Sequence, residues 1–132
     1  MDLPRDEIAF RREYERLVLG RSITTVFRPG NRIHPNWRGY RLGEIVTARI
    51  IARTGSDELA IPPVFTPDRV PVRIASLRYL PIDRLKPADF EGSSPDIFDI
   101  ESLEEHLTSI YRRPVDAFSR HVTRIGLDYL DD

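Results

Sequence analysis

The sequence predicts an α+β fold, a small, mostly antiparallel β-barrel flanked by two main helices. Several stretches carry the β-branched, alternating composition of strands. Two others place apolar residues at helical spacing. The strands are not regularly interleaved with helices, which disfavours a doubly wound parallel sheet and favours a curled antiparallel one. The 132 residues suit one domain and are too few for two ordinary ones, so residues 1–132 are read as one unit with a core from about residue 8 to 130.

The first element reads as a helix. Pro4 suits a first turn, Asp6 and Glu7 complement the dipole, and Ile8, Phe10, Tyr14, Leu17 and Val18 form the apolar side. Gly20 stands where a C-cap glycine belongs. Residues 22–27 are rich in β-branched side chains and predict a strand. Residues 28–41, with Pro29, Gly30, Asn31, Pro35, Asn36 and Gly39, predict a loop, and residues 40–44 a turn into a strongly apolar strand over 45–52. Residues 53–69 form an irregular excursion, with a short strand around Leu59 to Ile61. A strand is expected over 70–80, and one or two helical turns over 81–92, where Pro87 can start a turn.

The second clear helix begins at Asp99 as N-cap, with Phe98 and Leu103 in the places of a hydrophobic staple and Leu103, Leu107 and Ile110 along one face. Arg112, Arg113 and Pro114 end it. The last strand spans 121–130, where Thr123, Ile125, Leu127 and Tyr129 alternate with Arg124, Gly126 and Asp128.

The composition, 40% hydrophobic and 31% charged, is that of a folded chain rather than a disordered one. No apolar run is long enough to span a bilayer, and residues 1–7 lack the basic and apolar regions of a secretory signal. The absence of cysteine removes disulfides, thiolate chemistry and Cys-based metal sites, and fits a cytoplasmic protein. His34, His106 and His121 are far apart and lack i, i+4 partners, so no metal site is expected. There is no Gly-rich phosphate loop, no nucleophile elbow, and no sign of a cofactor.

Net charge is −1, yet the charges are segregated. Residues 21–53 hold seven arginines and one acid, and residues 83–105 hold eight acids against Arg84 and Lys86. Such a chain can present a basic face while staying near neutral. Lys86 is the only lysine. Arginine binds phosphate or carboxylate in a fork but is a poor general base.

The densest constellation is residues 20–28, where a glycine turn gathers Arg21, Ser22, Thr24, Thr25 and Arg28 at a helix end. Free amides, hydroxyls and guanidinium groups together suit an anion. The following loop adds Arg32, Trp37, Arg38 and Tyr40, and arginines interleaved with aromatics suit single-stranded RNA, whose phosphates pair while its bases stack.

The run Phe10 to Gly20, then Gly20-Arg21-x-x-x-Thr25, then Tyr40-x-Leu42-Gly43-Glu44-x-Val46 resembles the start of the ASCH domain, a relative of the PUA fold. Residues 96–103 resemble the acidic run before that family's second long helix, Ile110-Tyr111 its end, and Val122 to Tyr129 its final strand. The likeness spans about Phe10 to Leu130. It implies a PUA-like barrel with a cleft between barrel and helices, and links to RNA binding.

One small bacterial branch of the family hydrolyses the acetyl amide of N4-acetylcytidine with a motif lysine, the second motif threonine and the acid before the second helix. Carried over, these positions are Ser22, Thr25 and Asp96. Ser22 in place of lysine removes the proton acceptor that amide hydrolysis requires, and Arg21 holds its proton too firmly to replace it. Lys86 sits elsewhere in the chain. Phe27 stands where the family has arginine, and Arg28 follows by one, which in a regular strand sends it to the opposite face unless a bulge intervenes.

Three functions follow. The first is a binding module for RNA or a modified nucleoside or nucleotide, using Arg21, Thr24, Arg28, Arg32, Trp37, Arg38 and Tyr40. The second is a hydrolase, an acetylcytidine-type amidohydrolase or a ribonuclease, with Ser22, Thr25 and Asp96 as candidate catalytic residues. The third is a regulatory domain that binds a protein partner and has lost the site.

Overall fold

The computed structural model describes residues 7–36, 38–56, 58–111 and 120–130. Six strands form one mixed sheet: β1 (Glu7–Arg11), β2 (Thr25–Pro29), β3 (Ile45–Arg53), β4 (Val64–Phe65), β5 (Val70–Pro81) and β6 (His121–Tyr129). The ladder runs β1-β3-β5-β6-β2, with β4 added to β3. Only β1 and β3 pair in parallel; the other pairs are antiparallel. The helices are α1 (Glu15–Leu19) and α2 (Ile100–Tyr111), with single 3-10 turns at Arg12–Tyr14, Ile82–Arg84 and Pro87–Phe90.

The fold is α+β as expected, but strand pairing does not close the sheet into a barrel. β1 and β2 are its two ends, each five residues long. Side chains bridge the seam where a ladder would close it. Arg28 Nη2 donates to the Ala9 carbonyl at 2.9 Å, and Tyr40 Oη donates to the Glu7 carbonyl at 3.1 Å.

The first expected helix is corrected: it forms only over its last turns. Ile8 and Phe10 are buried at alternate positions, and Glu7–Arg11 pairs with Thr47–Ile51. Their spacing of two is that of a strand, and pairing with the apolar β3 fixes it over the helical reading. The helical pattern survives as Tyr14, Leu17 and Val18. Gly20 caps α1 with an ordinary negative φ, and Arg21 takes the left-handed position at φ 61°. The bonds Arg21 N to Val18 O (3.0 Å) and Ser22 N to Leu17 O (2.8 Å) complete a Schellman motif.

The second helix starts as the sequence indicates. Ser102 N donates to Asp99 Oδ1 at 2.8 Å, the N-cap bond that Asp99 was expected to accept. The staple is less complete, since Leu103 is fully buried but Phe98 stays two-thirds exposed. Arg112, Arg113 and Pro114 lie outside the described residues. The expected strand near Leu59 to Ile61 is instead a turn, closed by Ser56 N to Ile61 O (2.8 Å) and Ile61 N to Ser56 O (2.9 Å). Pairing resumes only beyond Pro62 and Pro63, which have no N–H to donate, at β4.

Two apolar clusters lie on opposite faces of the sheet. One holds Ile8, Phe10, Val26, Val46, Ile50, Val72, Ile74 and Ile125. The other holds Phe27, Leu80, Ile82, Phe90, Ile97, Leu103, Leu107 and Val122, and seats α2. β2 therefore alternates, with Val26 on one side and Phe27 on the other. A bulge in β5 between Ile74 and Ser76 bends the sheet opposite Gly126, where a Cβ would collide with the Ser76 hydroxyl. Among the described residues no helix is long and apolar enough to cross a membrane.

Candidate functional site

The open seam between β1 and β2 leaves a cavity of about 220 Å³, walled by both end strands, the loop after β2 and one side of α2. β1 contributes Glu7, Ala9, Phe10 and Arg11, β2 contributes Thr25 to Arg28, and α2 contributes His106 and Leu107. The gap in the sheet is thus the place where a ligand can enter between two edges.

Four arginines line it: Arg11 from β1, and Arg28, Arg32 and Arg38 from β2 and the loop after it. β2 pairs with β6 without a register break from Thr25 to Pro29, so no bulge returns Arg28 to the face of Thr25. It lies on the Val26 face, with its guanidinium 5.9 Å from the centre of the Phe10 ring. It still reaches the cavity because the cavity opens at the sheet edge. Arg32, Arg38 and Tyr40 arrive through the loop, which folds back on itself. Tyr40 N donates to Arg32 O at 2.7 Å and His34 N to Tyr40 O at 2.9 Å. The buried Thr123 hydroxyl holds the loop base, donating to Gly30 O at 2.7 Å and accepting from Arg32 N at 2.8 Å. The one carboxylate in the wall, Glu7, is nearly buried and paired with Arg49 at 3.0 Å and Arg69 at 3.3 Å.

Opposite the arginines stands a cluster that sequence reasoning assembled only in part. Tyr14 Oη donates to Asp96 Oδ2 at 2.8 Å, and His106 Nδ1 lies 3.2 Å from the same phenol and 3.5 Å from the same carboxylate oxygen. Burial would raise the Asp96 carboxyl, but hydrogen bonds from Ser94 and Tyr14 hold it below its ordinary value. Burial and the Asp96 carboxylate push the Tyr14 phenol well up. Burial lowers His106; Asp96 opposes this shift and Arg28 adds to it. The imidazole is therefore neutral at neutral pH.

His106 was not singled out in the sequence, where it is a lone histidine. The available signal was its place on α2: three residues after Leu103 and four before Ile110, on the apolar stripe itself.

Thr25 lines the cavity, but both roles of its hydroxyl are taken. It donates to Glu91 O at 2.6 Å and accepts from Arg124 Nη2 at 3.2 Å. Ser22 and Thr24 are exposed and absent from the cavity wall, and Thr24 N is held by Gly92 O at 2.8 Å. Arg21 is also outside it: burial raises the Tyr129 phenol to about 12, and the neighbouring Arg21 charge works against that shift. Trp37 lies outside the described residues. Lys86 is exposed at a 3-10 turn start, where its N–H donates to Asp89 Oδ2 at 2.8 Å, and it does not wall the cavity. The structure therefore brings together Thr25, Arg28, Arg32, Arg38 and Tyr40, with Asp96 joined through Tyr14. It leaves Arg21, Ser22 and Thr24 elsewhere.

Among the described residues no group of three or more His, Asp or Glu side chains could hold a metal ion.

No family model matches the sequence, and no curated protein matches it either. Two solved structures resemble it. The crystal structure of hypothetical protein PH0355 aligns with a TM-score of 0.54 and 16% identity, over 94% of this chain and 97% of that one. Protein EF3133 from Enterococcus faecalis V583, of the family DUF984, aligns with a TM-score of 0.49 and 14% identity, over 91% of this chain and 68% of that one. The first likeness is one of fold alone.

Proposed function

We propose that this chain is a PUA-like domain of the ASCH type that binds a nucleoside or nucleotide in the cleft between β1, β2 and α2. The observation that carries this is the convergence of Arg28, Arg32 and Arg38 with the rings of Phe10, Tyr14 and Tyr40 on one cavity. Guanidinium groups suit phosphate and ring carbonyls, and aromatic rings suit the faces of a base. At about 220 Å³ the cavity is smaller than the ~300–1,000 Å³ of drug-sized sites, which suits one nucleoside rather than a length of strand. A single-stranded RNA would place one base inside and its backbone along the loop arginines, and a modified base is the natural candidate for such individual recognition.

The test is calorimetric titration of nucleoside 5′-monophosphates, with anisotropy of a labelled short single-stranded RNA at low and moderate salt. Binding is expected to weaken with salt and to be lost in the Arg28→Ala, Arg38→Ala double variant. Absence of binding by both probes at low salt contradicts a nucleotide ligand.

A hydrolase is the second reading, favoured by one observation. Ser22 and Lys86 place no base in the cleft, but His106 supplies a neutral imidazole beside a carboxylate. Release of acetate from N4-acetylcytidine, or cleavage of the RNA probe, abolished by His106→Gln, would support it. Intact substrates after prolonged incubation would exclude both reactions.

A further inference from the structure

Catalogued by hydrogen-bonding role, the polar side chains that wall the cavity are mostly donors. Arg11, Arg28, Arg32 and Arg38 stay protonated and offer only donors. The acceptors close by are committed within the protein. The Ala9 carbonyl takes Arg28, the Glu7 carbonyl takes Tyr40, and the Glu7 carboxylate takes Arg49 and Arg69. The Thr25 hydroxyl accepts from Arg124.

His106 differs. The single proton of the Tyr14 phenol goes to Asp96 Oδ2 at 2.8 Å, so toward His106 the phenol oxygen can only accept. The contact of His106 Nδ1 with that oxygen at 3.2 Å, and with Asp96 Oδ2 at 3.5 Å, therefore requires a proton on Nδ1. In the neutral ring this leaves Nε2 as a bare lone pair. The ring lines the cavity, and the contacts that hold it among the described residues fall on Nδ1. The charged or titratable groups that act on the ring are Asp96, Tyr14, Arg28 and Glu13, and burial keeps it neutral.

We infer that His106 Nε2 is the acceptor that selects the ligand, taking a hydrogen bond from the exocyclic amino group of the base and favouring an amino-bearing base over its keto counterpart. Tyr14 and Asp96 are then positioning residues that fix the tautomer. The inference rests on the cleft being a nucleotide site. A carbonyl placed against Nε2 would set two lone pairs face to face in a half-buried pocket, which is strongly disfavoured.

Cytidine and uridine 5′-monophosphate differ at this edge by amine against carbonyl, and are the probes to titrate against the full chain and His106→Phe. The wild type is expected to bind the cytidine nucleotide about tenfold more tightly, the equivalent of one hydrogen bond. The variant, which keeps a flat ring but no acceptor, is expected to bind the two within about twofold. Equal affinities in the wild type, or a preference that survives in His106→Phe, would overturn the inference while leaving the nucleotide site intact. Failure of both nucleotides to bind would remove the site and the inference together. The tautomer is open to a check that needs no variant: 15N spectra of the imidazole should show Nδ1 protonated and Nε2 bare at neutral pH, and the opposite pattern would overturn the inference directly.

Discussion

Tyr14 and Asp96 stand 82 positions apart in the chain, and their side chains meet at 2.8 Å. That bond ties the turn after β1 to the segment leading into α2, so it fixes one wall of the cavity and the orientation of His106 together. Replacing Tyr14 with Phe removes it while keeping the ring. Stability to urea should fall by about 1 kcal/mol, the net worth of one such bond. The 15N signals of His106 should shift, since Nδ1 then keeps only its 3.5 Å contact with Asp96.

Acid should destabilise the protein through two groups of the same sign. The folded-state pKa of His106 lies below its ordinary 6.5, so the unfolded chain binds that proton more tightly. Stability from this group is complete above about pH 6.5 and declines as pH falls through that value. Asp96 is also held below its ordinary 3.8, and its contribution is present above that value and lost as pH falls toward the folded-state pKa. Thermal midpoints from about pH 8 to 5 should decline below pH 6.5 in the wild type and much less in His106→Phe.

Glu7 and its two arginines offer a contrast. Arg49 is nearly buried, with 12% of its side chain exposed, whereas Arg69 is 62% exposed. Glu7→Ala strands the buried Arg49 charge and should cost about 3 kcal/mol or more. Arg69→Ala should cost less than about 1 kcal/mol. Urea denaturation of both variants measures the difference.

Gly92 and Gly43 share a left-handed backbone, with φ of 82° and 85°. A Cβ on Gly43 meets open space, so Gly43→Ala should cost only the conformational penalty, about 1 kcal/mol. On Gly92 it would collide with the Thr24 side chain, in a residue whose carbonyl receives both Thr24 N and Thr25 N. Gly92→Ala should be the more destabilising of the two, and should move the amide resonances of Thr24 and Thr25.

The local parts of this structure were legible. Asp99 caps α2 through a bond to a residue three positions on, and Gly30, Asn31, Pro35, Asn36 and Gly39 do lie in the arginine-bearing loop, although Arg28 and Pro29 pair within β2. β1 was not legible, because Ile8 reads in one helical run with Tyr14, Leu17 and Val18, and the alternation of Ile8 with Phe10 gains its meaning only when β3 is there to pair with it. The open seam was not, because whether β1 and β2 join depends on two short edges and on side chains that occupy the seam. The shift of Arg28 to the face opposite Thr25 follows from strand alternation. That the cavity would open at the edge where this face is still useful does not. His106 was passed over for the same reason: its partners are Tyr14 and Asp96, and no local pattern brings the three together.

The central claim is that the cleft between β1, β2 and α2 holds a nucleotide. Its most direct test is amide-resonance mapping of isotopically labelled protein during titration with cytidine 5′-monophosphate. Shifts that saturate and cluster at Ala9, Val26 to Arg28, Arg38 to Tyr40 and His106 are predicted. No saturable shifts, or a cluster on another surface such as the stacked Tyr79 and His121 pair, would contradict it.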